Sequence, residues 1–364
     1  MTEILLKELT KSDIDWMITT GHQKELATGT ILIQERGSTE FFHILLDGTF
    51  SVTLSQPENN PLTRAFAAIE GDETLGREIG RLSRGEIAGE SSLIGTRPPT
   101  TTITSIEKSL VISIPIGELT TKLQQDIGFA ARFYRAIAII ISGRIQNTIN
   151  QLGRRNLAQG QPLPDVLFIL SELHDSDIDW MMASGTPQKI LTNTVVIHEQ
   201  GTVDALYIIL DGKMSLSISL DEQNPLARAF AAIEGNEIAG REIARLSKGE
   251  IIGETPFIDG SLPPATVKAI EDSVVLAIPR QLLATKLQQD IGFASRFYRV
   301  IPTLLDQRLQ GMVNQLSYSR RVYSQGLPLH RNFEYEDELG IEVLDKVALA
   351  GKRFDWMLGR LNVG

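Results

Sequence analysis

The chain has no cysteine in its 364 residues. That excludes a disulfide framework, a thiolate metal site and a cysteine nucleophile. Histidine is scarce, at five, and no pair stands at metal-ligand spacing, so a metal centre is not expected. There is no P-loop and no Ser-His-Asp constellation, which leaves an enzymatic reading without residues to carry it. No uncharged apolar run approaches the ~20 residues that span a bilayer; the most apolar stretch is Ile137–Ile141. Basic residues are outnumbered, 35 Lys and Arg against 45 Asp and Glu, for a net charge of −10. That balance disfavours general binding to a phosphate backbone. The first residues, Met-Thr-Glu-Ile-Leu-Leu-Lys-Glu-Leu, are too charged for a signal peptide, so a cytoplasmic location is expected.

What is present is a duplication. Ser-Asp-Ile-Asp-Trp-Met stands at 12–17 and again at 176–181, an offset of 176 − 12 = 164. Ala65–Gly71 returns at Ala229–Gly235 with the same offset. Thr121–Arg135 returns at Thr285–Arg299 with one change, Ala131 to Ser295. The register holds without a gap from about residue 12 to about residue 316, which is the signature of a tandem repeat. No histidine is shared between the copies: His22, His43, His174 and His198 align with Thr186, Tyr207, Thr10 and Gln34. The expected organisation is a first domain at 1–152, a linker at 153–175, a second domain at 176–316 and a tail at 317–364.

Each copy opens on a short amphipathic helix carrying Asp-Trp-Met. Strand-like runs follow at 30–33, 41–46 and 50–54, with counterparts at 195–197, 206–210 and 214–218. Asp47-Gly48 and Asp211-Gly212 lie between such runs, a strong turn signal. A polar segment with proline, 56–61, and a helical stretch, 62–69, read as an insertion. Strands at 77–82 and 110–114 close the β part. Leu123, Ile127, Ala130, Tyr134, Ile137, Ile141, Ile145 and Ile149 then fall at spacings of four or three and read as one continuous helix stripe. The second copy repeats the stripe from Leu287 to Val313, with Pro302 expected to kink or break it. Helices this long usually need a partner, either each other or a second chain; the alternative is that the stripe covers its own β domain. The tail echoes the opening helix at Phe354-Asp-Trp-Met357, as a partial third repeat that caps apolar surface. Its acidic, aromatic segment 333–342 reads as a docking arm.

The stretch that organises each copy is Gly85–Ile103, repeated at Gly249–Val267. Both couple Gly-Glu-x-x-Gly-Glu to a short helix and a strand. Unpaired N–H groups at a helix start, together with glycine, suit a close-approaching anion. With the strand order, the Asp-Gly turn and the long C-terminal helix, the pattern resembles the cyclic nucleotide-binding domain superfamily. That resemblance implies an α+β fold of two tandem β-rolls (double-stranded β-helix or jelly roll), each followed by a long helix. It covers about 12–152 and 176–316. The cassette match is close at Gly253-Glu254 and Pro264–Val267, and looser at Gly89-Glu90 and Thr100–Ile103.

In that family the cassette glutamate takes the ribose 2′-hydroxyl and an arginine pairs with the cyclic phosphate. The resemblance carries the glutamate to Glu90 and Glu254. It places proline, Pro99 and Pro263, where the arginine belongs, and a buried phosphate without that charge-assisted pair loses ~2–5 kcal/mol. If the site is retained, its expected residues are Gly89, Glu90, Ser91, Arg97, Gly253, Glu254, Thr255 and Thr266. The preferred reading has Glu90 and Glu254 pinning the backbone N–H groups of their own turn, and the glycines forming turns. Trp16, Trp180 and Trp356 read as anchors against the β-roll, and Arg154-Arg155 and Arg320-Arg321 as solvated helix-end charges. No recognition helix follows either copy, so DNA is not an expected partner. A non-enzymatic regulatory or scaffolding protein is expected, with no cofactor, acting on a protein partner or by self-association through the long helices and tail. The alternative is a genuine sensor of a cyclic nucleotide, its phosphate held by cradle N–H groups, Arg97 or a long helix.

Overall fold

A computed structural model of the chain describes residues 2–54, 77–94, 98–153, 168–219, 241–318 and 341–363. The insertion at 56–69, Arg97, both Arg-Arg pairs and most of the expected docking arm lie outside the described residues. The chain divides into two compact units, 1–140 and 141–364.

In the first unit, helices α1 (Thr2–Glu8) and α2 (Lys11–Thr20) lead into strands β1 (His22–Leu26), β2 (Ile31–Ile33), β3 (Phe41–Asp47), β4 (Phe50–Leu54), β5 (Arg77–Leu82) and β6 (Ile87–Ala88). A one-turn helix α3 (Ser91–Ile94), strands β7 (Thr102–Ser105) and β8 (Ser109–Pro115), and helix α4 (Ile116–Gln125) follow, and helix α5 (Ile127–Gly153) begins in this unit and runs past residue 140. The strands form two antiparallel sheets, ordered β1-β8-β3-β6 and β2-β7-β4-β5. Alternating side chains from both sheets meet between them: Leu45 and Val111 from one, Phe50, Leu82 and Ile103 from the other. Gly48 has φ +91°, and a Cβ there would come 2.2 Å from the Ser109 hydroxyl oxygen. Only glycine fits that turn.

The second unit repeats the plan. Helices α6 (Phe168–Glu172) and α7 (Asp175–Ser184) precede β9 (Thr186–Ile190), β10 (Val195–Ile197), β11 (Ala205–Asp211), β12 (Lys213–Ile218), β13 (Arg241–Ser247) and β14 (Ile251–Ile252). Then come α8 (Thr255–Ile258), β15 (Thr266–Ala269), β16 (Ser273–Pro279), α9 (Arg280–Gln289), α10 (Ile291–Tyr318) and α11 (Ile341–Leu361). Its sheets run β14-β11-β16-β9 and β10-β15-β12-β13, the same order as the first unit. The fold is therefore two tandem β-rolls with helices at their flanks.

The structure differs from expectation in the helices. The stripe read as one continuous helix is broken at Asp126 and at Asp290. Each aspartate leaves the helical region and accepts the backbone N–H of the residue three ahead, Phe129 at 2.8 Å and Phe293 at 2.9 Å. A side-chain N-cap of this kind starts a new helix. Ile127 and Ile291, expected on the apolar stripe, are exposed. Pro302, expected to kink or break its helix, lies inside α10, which continues to Tyr318. Two strands, β1 and β9, were not expected. Each pairs only with β8 or β16, at a sheet edge, and nearly every residue on them is exposed.

A duplicated ion pair ties the opening helix to the long one. Arg132 donates to both oxygens of buried Asp13, at 2.8 and 3.0 Å; Arg296 does the same to Asp177, at 2.6 and 2.9 Å. Burial opposes ionisation of Asp13 and Asp177, but the hydrogen bonds from the arginines and the cap residues outweigh it and hold both carboxyls below their ordinary range. Trp16 and Trp180, expected against the β-roll, stand edge-on to Phe129 and Phe293 of the long helices, at 5.6 and 5.3 Å. In the second unit α11 docks on α6. Its Ala350, Phe354 and Met357 are buried. Arg353 donates to the carbonyls of Leu170 at 2.8 Å and Leu173 at 2.7 Å, and to the Asp175 carboxylate at 2.8 Å. Those carbonyls are among the acceptors that the end of a helix leaves open. Arg353→Ala strands them, at a cost of about 1–3 kcal/mol. Hydrogen exchange should then accelerate across 341–361 while β11 and β16 keep their protection.

Candidate functional site: the glycine-glutamate cradles

The cradle of the second unit is built where β14 ends. Glu250 is fully buried, and its carboxylate accepts the Ser247 N–H at 2.6 Å. In the first unit Glu86 accepts the Ser83 N–H at 2.6 Å and its hydroxyl at 3.1 Å. The first glutamate of each Gly-Glu-x-x-Gly-Glu run therefore pins the tight turn. The next turn is made by Gly253, with φ +81°, where a Cβ would lie 2.8 Å from the Ala205 carbonyl oxygen of β11. Gly89 repeats the arrangement, with φ +91° and 2.6 Å to the Phe41 carbonyl. Close approach to the neighbouring strand excludes any side chain at either position.

Glu254 follows, 6% exposed. It was expected to pin its own backbone, and the structure corrects this. It occupies the N-cap position of α8 but makes no side-chain cap bond. Instead Arg308 of α10 donates from Nη1 to Glu254 Oε1 at 2.6 Å, and from Nη2 to the Ile251 carbonyl. The guanidinium is the stronger partner because it brings a full opposite charge into a site where an unpaired carboxylate would be severely destabilised. The Tyr298 hydroxyl, also on α10, donates to the Phe257 carbonyl of α8 at 3.3 Å. The long helix thus holds the cradle at two points. Arg308 was missed in the sequence, although its counterpart Arg144 stands at the same repeat position. An arginine shared by the two copies, one turn from Ile140 and Ile141 in one and from Leu304 and Leu305 in the other, was the available signal. Glu90 is equally buried.

The remaining expected site residues serve the fold or stand apart. Ser91 and Thr255 begin four-residue helices. Thr266 Oγ1 accepts the Glu199 N–H at 3.1 Å, as Thr102 accepts that of Glu35. Pro99 and Pro263 present carbonyls to the loop after β2 and β10. The Arg36 and Gln200 N–H groups donate to them at 2.8 and 2.9 Å, from residues whose φ values are 60° and 57°. Arg97 lies outside the described residues. Among the described residues, no group of three or more His, Asp or Glu is placed to hold a metal, and no helix is long and apolar enough to cross a membrane.

This geometry has known relatives. Residues 187–290 match the family model of the cyclic nucleotide-binding domain. The match lies within the second repeat. The first repeat has the same strand order. Among curated proteins it is similar to lysophospholipase nte1 of Neosartorya fischeri, 24% identical over 141 residues, and to that of Aspergillus fumigatus, 27% over 121 residues. The matches take in 39% and 33% of this chain but only 8% and 7% of those proteins. Among solved structures it is similar to the cAMP-bound regulatory domain of Toxoplasma gondii PKA, 15% identical, covering 79% of this chain and 89% of that one, TM-score 0.28. It is also similar to the guanosine-bound regulatory subunit of a cAMP-independent protein kinase A from Trypanosoma cruzi, 15% identical, with 79% and 81% covered, TM-score 0.28.

Two measurements test the electrostatics. Arg308→Met leaves Glu254 buried without its countercharge and should cost about 3–5 kcal/mol, whereas replacing the pair together, with Arg308→Met and Glu254→Leu, should cost far less. Denaturant unfolding of the four members of that cycle measures it. The second concerns His43, whose imidazole is buried and bonded through Nδ1 to Ser113 Oγ at 2.9 Å. Burial, with Lys24 nearby, pushes its pKa down to about 4. Between its ordinary value and about 4 the unfolded chain binds the proton and the folded chain does not. Stability should therefore fall by roughly 3 kcal/mol as pH drops through that window. His43→Tyr, which installs the residue found at Tyr207, should flatten the difference curve in urea titrations.

Proposed function

We propose that the chain is a non-enzymatic regulatory or scaffolding protein that uses two cyclic nucleotide-binding folds for protein–protein contact, with degenerate ligand cassettes. The observation that carries this reading is the Glu254–Arg308 pair. The carboxylate that the family resemblance assigns to a ribose hydroxyl is occupied by an arginine of the same chain. Pro263 and Pro99 supply neither charge nor N–H where that resemblance calls for a phosphate-binding arginine. A ligand would have to displace Arg308 from Glu254 and from the Ile251 carbonyl, then bury its phosphate without a guanidinium at that position. Each requirement weakens binding, and they act on different parts of the nucleotide. The long helices and the C-terminal segment are the surfaces assigned to partners.

Titration calorimetry of the full chain with cyclic AMP, cyclic GMP and cyclic dinucleotides tests the proposal. No heat and no thermal shift are expected up to about millimolar ligand. Sub-micromolar binding of any of them, abolished by Glu254→Ala, would overturn it in favour of a nucleotide sensor.

A further inference from the structure

The first unit holds a cleft of about 300 Å³ that the cradle does not line. Its walls come from β1, β3 and β8 on one side and β2 with its following loop on the other. Lys24 reaches over the Phe41 ring, 4.5 Å from its centre. Beside them lies the buried His43–Ser113 pair, on directly paired residues of β3 and β8. The Thr39 hydroxyl is buried in the wall with no hydrogen-bond partner among the described residues. An orphaned buried hydroxyl calls for an explanation.

The second repeat is an internal control. At the 164-residue offset, Lys24, Thr39, Phe41, His43 and Ser113 become Gln188, Val203, Ala205, Tyr207 and Ala277. The backbone plan is the same, but the ammonium is gone and the hydroxyls at 39 and 113 have become apolar. The fold therefore does not require the polar set, and its concentration in one copy points to a ligand.

We propose that this cleft binds a small organic carboxylate, its charge met by Lys24, its polar atoms by Thr39 and the His43–Ser113 pair, and its apolar body by the Phe41 ring. One ammonium suits a single negative charge. A phosphate site usually offers a guanidinium fork or the N-termini of a helix, and neither lines this cleft. Within the cleft the imidazole stays neutral at physiological pH, so it contributes polarity and Lys24 supplies the charge. The other charged group at the walls is Glu40, which is exposed. Its carboxylate opposes an anion, and its effect is weakened by solvent.

The test uses the full chain and benzoate as probe, followed through the His43 ring resonances, which His43→Tyr assigns. Saturable binding is expected at or below about 1 mM. Lys24→Gln, an exchange on an exposed edge strand already made at Gln188, should weaken it at least tenfold, and Glu40→Gln should strengthen it. The combination of Lys24→Gln, Thr39→Val, His43→Tyr and Ser113→Ala installs the residues that stand at these positions in the second repeat. It should remain folded and lose binding by calorimetry. The proposal is overturned by any of three results: no saturable benzoate binding up to about 10 mM, benzoate binding unaffected by Lys24→Gln, or tighter binding of benzylamine or inorganic phosphate than of benzoate.

Discussion

A carboxylate taken out of water must find a countercharge or several N–H donors, and this requirement sets how the long helix of the second unit lies on its β-roll. Glu254 is carried into the interior by a turn that only Gly253 can make, because the Ala205 carbonyl leaves no room for a Cβ. The chain thus commits a charge to the core before anything compensates it. Arg308 supplies the compensation, and as a residue of α10 it fixes that helix against β14 and α8. The same rule governs the other buried acids. Glu86 and Glu250 each accept the N–H of a serine three residues back, Ser83 and Ser247, and Asp13 and Asp177 pair with Arg132 and Arg296. In each case a helix or turn is positioned by the partner that a buried oxygen demands.

Much of the β architecture was legible because it rests on alternation and turns. The runs at 50–54, 77–82 and 195–197 coincide with β4, β5 and β10, and Asp47-Gly48 marks the turn it should. Strands β1 and β9 were hidden because His22–Leu26 and Thr186–Ile190 lie at sheet edges and are mostly exposed. No apolar alternation is selected on such strands. The helix break at Asp126 was hidden for the opposite reason. The apolar spacing runs through it, and only Asp126, as a cap, reveals it. Pro302 does not break α10, because an interior proline can be tolerated for the loss of one backbone bond, and α10 is clamped elsewhere by Arg296, Tyr298 and Arg308.

The cradle was legible in its backbone and not in its charges. Its glycines are read from the turns they form; the proline carbonyls were not foreseen, because Arg36 and Gln200 reach them from other loops. Arg308 answers Glu254 from 54 residues further along, and no local pattern carries that distance. The duplication could have supplied it. Arg144 and Arg308 stand in register on the two long helices, one turn from Ile140 and Ile141 in one and from Leu304 and Leu305 in the other, and a charge kept twice beside such apolar neighbours needs a buried partner.

Duplication also separates what the fold needs from what one copy has made of it. Positions that answer to the backbone are held in both repeats: Gly48 and Gly212, Gly89 and Gly253, Pro99 and Pro263. At the proline the side chain contributes nothing to the polar contact. The carbonyl accepts from Arg36 or Gln200, and any residue offers a carbonyl. An arginine could have stood there without disturbing that bond. The cleft of the first unit shows the reverse. There the backbone is common and the side chains have diverged, from Gln188, Val203, Tyr207 and Ala277 in one copy to Lys24, Thr39, His43 and Ser113 in the other. A buried imidazole held neutral beside an ammonium opposes folding as the pH falls, and Tyr207 shows that the roll closes without it. Side chains that weaken the fold and are absent from its twin are accounted for by what they contact, and in this protein they share one cleft.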